Sequence, residues 1–403
     1  MFFVKALYCR AFQIAMRIAL PFLPYREPEI IGSVEGIPAV LAAKGIRRVL
    51  IVTDRGVVAN GLTKPLLGAL ESGGVFAAVY DATQPNPTVE NVADALRVYR
   101  ENDCAALIAV GGGSAMDCAK CVGARLAHPK KSLRKMKGIL RVWRKLPLLI
   151  AVPTTAGTGS EVTLAAIVTD SAKMDKYAIM SFPLIPRYAV LDPKLTVSLP
   201  KHLTATTGMD ALTHAVETYI GRSTTKMTRR YALEATRLVF ENIRTAYTDG
   251  TDLTARKNML HAAYRAGEAF TQSYVGYVHA VAHSLGGHYG TPHGLANAVT
   301  MPYVLEAYGA AASKKLHELG IAAGVCTEEH THEEGAKRFI RAIRELNASM
   351  EIPETISDIR EEDIPALARH AEHEANPLYP VPVLWTEEQI AVIYRRISAG
   401  REA

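Results

Sequence analysis

Asp210 and His214 stand four residues apart in GMDALTHAVE (208–217), and His279 and His283 repeat that spacing in VHAVAHSLGGHYGTPHG (278–294). On a helix, residues four apart share a face, so each pair can reach one ligand. His293 follows after a stretch with Gly-Gly, Gly and Pro that could fold it back toward them. Three imidazoles with one carboxylate suit Fe(II) or Zn(II) far better than Mg(II) or Ca(II), which take oxygen ligands. The spacing alone leaves open which three histidines would ligate and which would stand beside the ion. His288, in the same stretch, reads as an ordinary surface residue.

Two loops of small residues offer a second kind of chemistry. VGGGSAMDCAK (110–120) follows an apolar run and opens a helix near Ser114. Consecutive glycines let the backbone approach a ligand, and the free N–H groups of the helix then favour an anion such as pyrophosphate. Ser114 with Asp117 three residues on also predicts a capping box. PTTAGTGSEVT (153–163) presents Thr154, Thr155, Thr158, Ser160 and Thr163 as compact donors and acceptors after another apolar run. Two such loops at strand ends match the crevice where α/β sheets bind nucleotides, although G-x-G-x-x-G is absent. Asp54, closing LIVTD, can accept from a ribose hydroxyl and repel a 2′-phosphate, which favours NAD over NADP.

The elements that must position these residues follow from the pattern. RVLIVTD (48–54), VFAAVYD (75–81), AALIAVGGGS (105–114), LPLLIAVP (146–153) and YAVLDP (188–193) are short apolar runs, separated by helical stretches such as 57–70. Runs of that kind predict a parallel sheet with crossovers. TLAAIVTD and KYAIMS flank the polar turn SAKMD and predict a hairpin. From Lys201 onward, alanine-rich helical periodicity replaces strand-like runs. A chain of 403 residues also predicts two domains. We therefore expect an α/β dinucleotide-binding domain over 27–199 and an all-helical metal-binding domain over 200–403, with the active cleft between them.

Residues 1–26 form a separate segment with no acid. On a helical projection Lys5, Arg10, Gln13 and Arg17 fall within an arc of about 140°, and Phe2, Phe3, Phe12 and Ile18 fall outside it. This predicts an amphipathic helix docked on the protein or on a partner subunit. The lack of acids is also a presequence feature, although the segment has no serine, and organellar targeting or contact with a membrane surface is the alternative reading. The eight basic residues of 129–145 read as a solvated face, with an anion-holding role as the alternative.

Composition narrows the class. A formal net charge of +6 is small for this length and no nucleic-acid motif accompanies it. Five cysteines, an odd number, suit a reducing, cytoplasmic setting, and Cys118 and Cys121 read as packing residues one helical turn apart. No apolar run approaches the ~20 residues of a membrane span.

Together GGGSAMDCAK, PTTAGTGSEVT, GMDALTHAVE and HAVAHSLGGHYGTPHGLANA closely resemble the iron-containing (group III) alcohol dehydrogenases, whose dehydroquinate synthase-like fold is shared with glycerol dehydrogenase. The resemblance runs from about Glu27 to beyond Tyr303. It implies a metal-dependent, NAD(P)-linked alcohol dehydrogenase or aldehyde reductase, a homodimer or larger homo-oligomer. By the resemblance Asp210, His214, His279 and His293 ligate Fe(II), or Zn(II), and His283 moves protons beside the nicotinamide. Gly112, Gly113, Ser114 and Asp117 correspond to the pyrophosphate turn. Asp54, Asn86, Thr154, Thr155, Thr163 and Lys176 match further cofactor positions. Two departures are the N-terminal extension and Tyr303, which stands in MPYV where relatives often have histidine. Two alternatives fit less well. A dehydroquinate synthase-like lyase needs more basic groups in the helical domain, and a non-catalytic NAD or metal binder has no need of an intact ligand set.

Overall fold

The computed structural model describes residues 2–173 and 175–399; the side chains of Phe2 and Phe3, and Met174 in the predicted hairpin turn, lie outside the described residues. The chain divides into two compact units, one of Pro24–Leu199 and one of the segments on either side of it.

Among its described residues Pro24–Leu199 holds nine strands: Glu29–Ile31 (β1), Arg48–Val52 (β2), Phe76–Tyr80 (β3), Ala106–Gly111 (β4), Gly138–Ile139 (β5), Leu148–Pro153 (β6), Ala165–Asp170 (β7), Asp175–Met180 (β8) and Tyr188–Val190 (β9). Six form one sheet in the order β1-β9-β6-β4-β2-β3, every pair parallel. Leu50, Val52, Leu107 and Ala109 pack into one apolar cluster, while Val49, Ile51, Ile108 and Val110 pack into another. Successive side chains in a strand point to opposite faces, so a run buried on both faces must be apolar throughout. That is why these strands read as unbroken apolar stretches. β7 and β8 form the expected antiparallel hairpin, and β5 joins β8 in a small second sheet.

Three features differ from the sequence reading. β1 and β5 were not anticipated; three and two residues long, they carry no periodic signal. The helix expected near 57–70 is two helices, Arg55–Ala59 and Lys64–Ser72, because Gly61 turns to φ +70° between them and Pro65 opens the second. Ser114 does not cap its helix. The helix begins at Gly113 with Gly112 as its N-cap, which leaves Ser114 inside the first turn.

Cys118 and Cys121 lie on the Gly113–Ala127 helix, wholly buried against the sheet. Burial pushes the Cys118 thiol up to about 12. All five cysteines are buried and unbridged. Within the basic run, Arg134 and Lys137 pair with Asp175, and Nε2 of the buried His128 accepts from the backbone N–H groups of Trp143 and Arg144, each at 3.3 Å.

In the other unit, every regular element from Lys201 to Ala399 is helical among the described residues. The Tyr277–Tyr289 helix includes Gly286 and Gly287, so the reversal before His293 is made by left-handed Gly290 and Pro292 instead of the glycine pair. The N-terminal Phe2–Ala19 helix belongs to this unit. It docks by the side that carries Cys9, Gln13 and, just beyond the helix, Leu20, all buried. Lys5 pairs with Glu372, Arg10 donates to the carbonyls of Val381 and Pro382, and Gln13 donates to the carbonyl of Tyr379.

Candidate active site

Three helices bring the metal-type side chains together. Lys201–Ile220 carries Asp210 and His214, Tyr277–Tyr289 carries His279 and His283, and His293–Tyr308 begins with His293. Nε2 of His293 lies 3.3 Å and Nε2 of His279 3.8 Å from Oδ1 of Asp210. One donor atom from each of Asp210, His279 and His293 falls within 4.8 Å of the others, and no other such group occurs among the described residues. His214 is outside this tight triplet but adjoins it: its ring is 4.5 Å from that of His279 and stacks on Phe270 at 4.1 Å. Asp210 and His279 are buried, whereas the His293 side chain is 39% exposed, so the cluster is open on that side.

A close helix crossing makes the convergence geometrically achievable. A Cβ on Gly294 would collide with the carbonyl oxygen of Thr206 and stand 2.8 Å from its carbonyl carbon. Only glycine lets the His293 helix lie this near the backbone that carries Asp210.

The surrounding groups set the charge states. Burial opposes ionisation of Asp210, but His214, His293 and His279 outweigh it and hold its carboxyl well below the usual carboxylate range. Burial, with His214 and His293, holds His279 well below the usual histidine range, so it is a neutral imidazole. Its Nδ1 lies 2.7 Å from Oε2 of Glu217. Glu217 also accepts from the N–H groups of Gly276 and Val278, which fixes the carboxylate at the start of the Tyr277–Tyr289 helix. An Nδ1–H donated to Glu217 leaves the Nε2 lone pair facing Asp210, the arrangement metal-binding histidines use.

Asn297 completes the centre. Its Nδ2 is 2.7 Å from Asp210 Oδ1, 3.1 Å from His293 Nε2 and 3.3 Å from His279 Nε2. Three acceptors thus crowd a donor that carries only two hydrogens, whereas a cation would serve all three. The donor set, two imidazole nitrogens and an ionised carboxylate with His214 alongside, fits a divalent transition-metal ion.

His283 is turned differently. Its ring stacks on His293 at 5.1 Å, and Nδ1 is 2.6 Å from Oε1 of Glu374, which also accepts from the Tyr379 hydroxyl at 2.8 Å. Burial opposes the Glu374 charge, but His283 and these hydrogen bonds hold it below the usual carboxylate range. His288 sits apart, 3.4 Å from Asp363. Tyr303 is fully buried and donates to the carbonyl of Glu354, so it has a packing role.

In the α/β unit the loop residues fall into two groups. The first surrounds the glycine turn at the end of β4. Asn86, at φ +57°, donates its N–H to Ser114 Oγ at 3.2 Å and accepts from Lys176 Nζ at 2.7 Å. The N–H of the buried Thr154 donates to the Gly111 carbonyl, and a Cβ on Gly112 would sit 3.5 Å from Thr155 Oγ1. Gly111, not singled out in the sequence, has φ +150°, and a Cβ there would lie 2.8 Å from the Ala115 methyl and 3.5 Å from Asp54 Oδ2. The other Asp54 oxygen caps the Arg55–Ala59 helix through the Val57 N–H. A Cβ on Gly113 would be 3.1 Å from Thr158.

The second group is an internal brace. Buried Lys120 donates to Ser160 Oγ, Thr163 Oγ1 and the carbonyls of Thr163 and Ala165, at 2.8–3.0 Å. Asp117 accepts from the Ser160 hydroxyl and the Ile167 N–H. Thr163 and Asp117 therefore shape the loop from beneath.

Sequence reasoning missed Glu217, Asn297, Gly294, Gly111 and Glu374. Two were within reach, because Asn297 is four residues after His293 and Glu217 is seven after Asp210, both on the same helix face.

Comparison with known proteins adds an independent line. Residues 30–193 match the family model for iron-containing alcohol dehydrogenase, and residues 204–398 match that for the C-terminal part of the Fe-containing alcohol dehydrogenase family. Alcohol dehydrogenase 4 of Saccharomyces cerevisiae (strain YJM789) is 38% identical over 369 residues, covering 91% of this chain and 94% of the relative. The 1,3-propanediol dehydrogenase of Citrobacter freundii is 38% identical over 356 residues, covering 87% and 92%. Among solved structures, a 1,3-propanediol oxidoreductase superposes with a TM-score of 0.89 at 36% identity, covering 93% of this chain and 99% of that one. A parallel-sheet nucleotide-type unit and a helical unit with an Asp–His cluster define a metal-dependent, nicotinamide-linked oxidoreductase of alcohols and aldehydes. The chain belongs to the iron-containing alcohol dehydrogenase family.

Proposed function

We propose that Asp210, His214, His279 and His293 hold one divalent cation, Fe(II) with Zn(II) as the alternative, and that the enzyme interconverts small alcohols and aldehydes with NAD in preference to NADP. The observation that carries this reading is the convergence of Asp210, His279 and His293 within 4.8 Å. When bound, the cation supplies Lewis acidity to a substrate oxygen and the nicotinamide gives or takes the hydride.

The protein's own residues do the rest. Asp210 contributes the negative charge, and Glu217 keeps His279 in the tautomer whose Nε2 is free to ligate. His283, anchored by Glu374 through Nδ1, holds a proton beside the cluster and exchanges it through Nε2. Gly112, Gly113 and Ser114 cradle the pyrophosphate, with Asn86, Lys176, Thr154 and Thr155 around it. Thr163 and Asp117 act through the loop they brace. Asp54 turns one oxygen toward the glycine turn, where it accepts from a ribose hydroxyl and repels a 2′-phosphate. We place the enzyme in the cytoplasm as a homodimer or larger homo-oligomer.

The test is metal analysis beside kinetics on a panel of alcohols and aldehydes with NADH and NADPH. Asp210→Ala and His279→Ala lose metal and turnover together, whereas His283→Ala keeps its metal and loses turnover by about 10²-fold or more. Asp54→Gly eases use of NADPH. A metal-free His279→Ala that still turns over alcohols at the wild-type rate would refute the scheme.

A further inference from the structure

The N-terminal segment buries Cys9, Gln13 and Leu20 against the protein and leaves a second apolar side uncovered. A surface helix normally buries its apolar side and shows its polar side to water. Here Lys5, Arg10 and Gln13 are spent on Glu372 and on the carbonyls of Tyr379, Val381 and Pro382, while Val4, Leu7, Tyr8, Ile14, Ile18 and Phe22 stand 59–84% exposed. At 100° per residue, positions 4, 7, 8, 11, 14, 15 and 18 fill an arc of about 120° without a charge. Arg10 and Arg17 flank it on one edge and Lys5 on the other. No acid occurs before Glu27.

Two kinds of partner would cover such a strip, and area and charge separate them. Eighteen residues give a strip about 27 Å long and about 10 Å wide, roughly 300 Å². A stable protein interface needs about 800 Å² from each side, so this helix alone is too small to hold a second copy. A lipid surface needs no matching shape. It takes an apolar strip into the acyl boundary and receives Arg17 among anionic headgroups, Lys5 and Arg10 being engaged on the protein.

We propose that the Phe2–Ala19 helix, continued through Phe22, docks this protein peripherally on anionic bilayers, lying in the plane of the headgroups. No helix of the described residues is long and apolar enough to cross a membrane, which fits surface attachment. The attachment is independent of the metal centre and of the nicotinamide chemistry.

Flotation of the full-length protein with phosphatidylcholine vesicles, with and without phosphatidylglycerol, tests this. Wild type floats with the mixed vesicles, binding about fivefold more tightly than to phosphatidylcholine alone, and salt weakens the binding. Leu7→Glu/Ile14→Glu stays in solution with unchanged melting temperature and dehydrogenase activity, and Arg17→Glu binds more weakly than wild type. Wild type left in solution by the anionic vesicles would overturn the proposal. So would equal flotation of the double variant. Sedimentation velocity detects the competing occupant: if Leu7→Glu/Ile14→Glu splits an oligomer while wild type ignores vesicles, the strip belongs to a second copy and the proposal fails.

Discussion

Nδ2 of Asn297 lies 2.7 Å from Oδ1 of Asp210, at the point where the His279 and His293 nitrogens also converge. A neutral donor thus partly offsets a buried carboxylate, which is what a cation would do more strongly. Asn297→Ala removes that donor and leaves Asp210 facing only acceptors, costing metal-free protein about 2 kcal/mol. Added metal replaces the lost charge complementarity, so the deficit narrows in loaded protein. Calorimetry with and without chelator measures this, and an equal deficit in both states would contradict it.

Gly294→Ala places a methyl against the Thr206 carbonyl. Neither backbone can yield cheaply, so the start of the His293 helix moves and takes its imidazole with it. We expect metal affinity to fall by about tenfold or more, as for lost supporting contacts at other metal sites. Metal titration reads the change, and unchanged affinity would mean that the close crossing does not position His293.

Glu374→Gln keeps the shape of the His283 contact but removes its charge. A carboxylate favours the protonated imidazole, so its loss moves the acid limb of the pH–rate profile to lower pH and slows turnover. Metal content stays at the wild-type level. A profile that does not move would remove His283 from proton transfer.

Burial, aided by Lys131 and Arg144, holds the His128 imidazole below its ordinary value of about 6.5. Between the folded and unfolded values the unfolded chain binds more protons, so stability rises with pH there. The His128 contribution is complete above about pH 6.5 and is lost as pH falls below it. Protonation also ends acceptance from the Trp143 and Arg144 N–H groups. Trp143 emission, sensing the ring 4.9 Å away, should change along that acid limb, and His128→Asn should flatten it.

Lys120 is held down to about 8 by burial, against the pull of Asp117 and Glu161, and spends its protons on the 160–165 loop. Lys120→Met leaves buried carbonyls and a carboxylate without that partner. A loss of about 3 kcal/mol in denaturant unfolding is expected. Hydrogen exchange should rise first at Ile167, whose N–H is held by Asp117.

What the chain reveals on reading follows the range of the physics. The parallel strands were legible because burial on both faces demands apolar residues at every position, as at Leu107–Val110. Asp210 with His214, and His279 with His283, were legible because helix periodicity is local. Gly294 against Thr206, and Glu374 against His283, join residues about ninety apart in sequence, and no local pattern encodes such a meeting. Ser114 misled because a glycine took the capping position ahead of it. The N-terminal segment was legible as a docked helix, although its periodicity did not tell which side met the protein.

The five sequestered sulfurs have a practical corollary. Alkylating reagents meet no accessible thiolate on the folded enzyme, because the thiols are buried and burial holds the Cys118 proton far above neutral pH. Inactivation by air or peroxide then has to be sought at groups other than cysteine, the Asp–His cluster and the methionines among them. The enzyme can accordingly be handled without thiol reductants, which would compete with its own side chains for a metal ion.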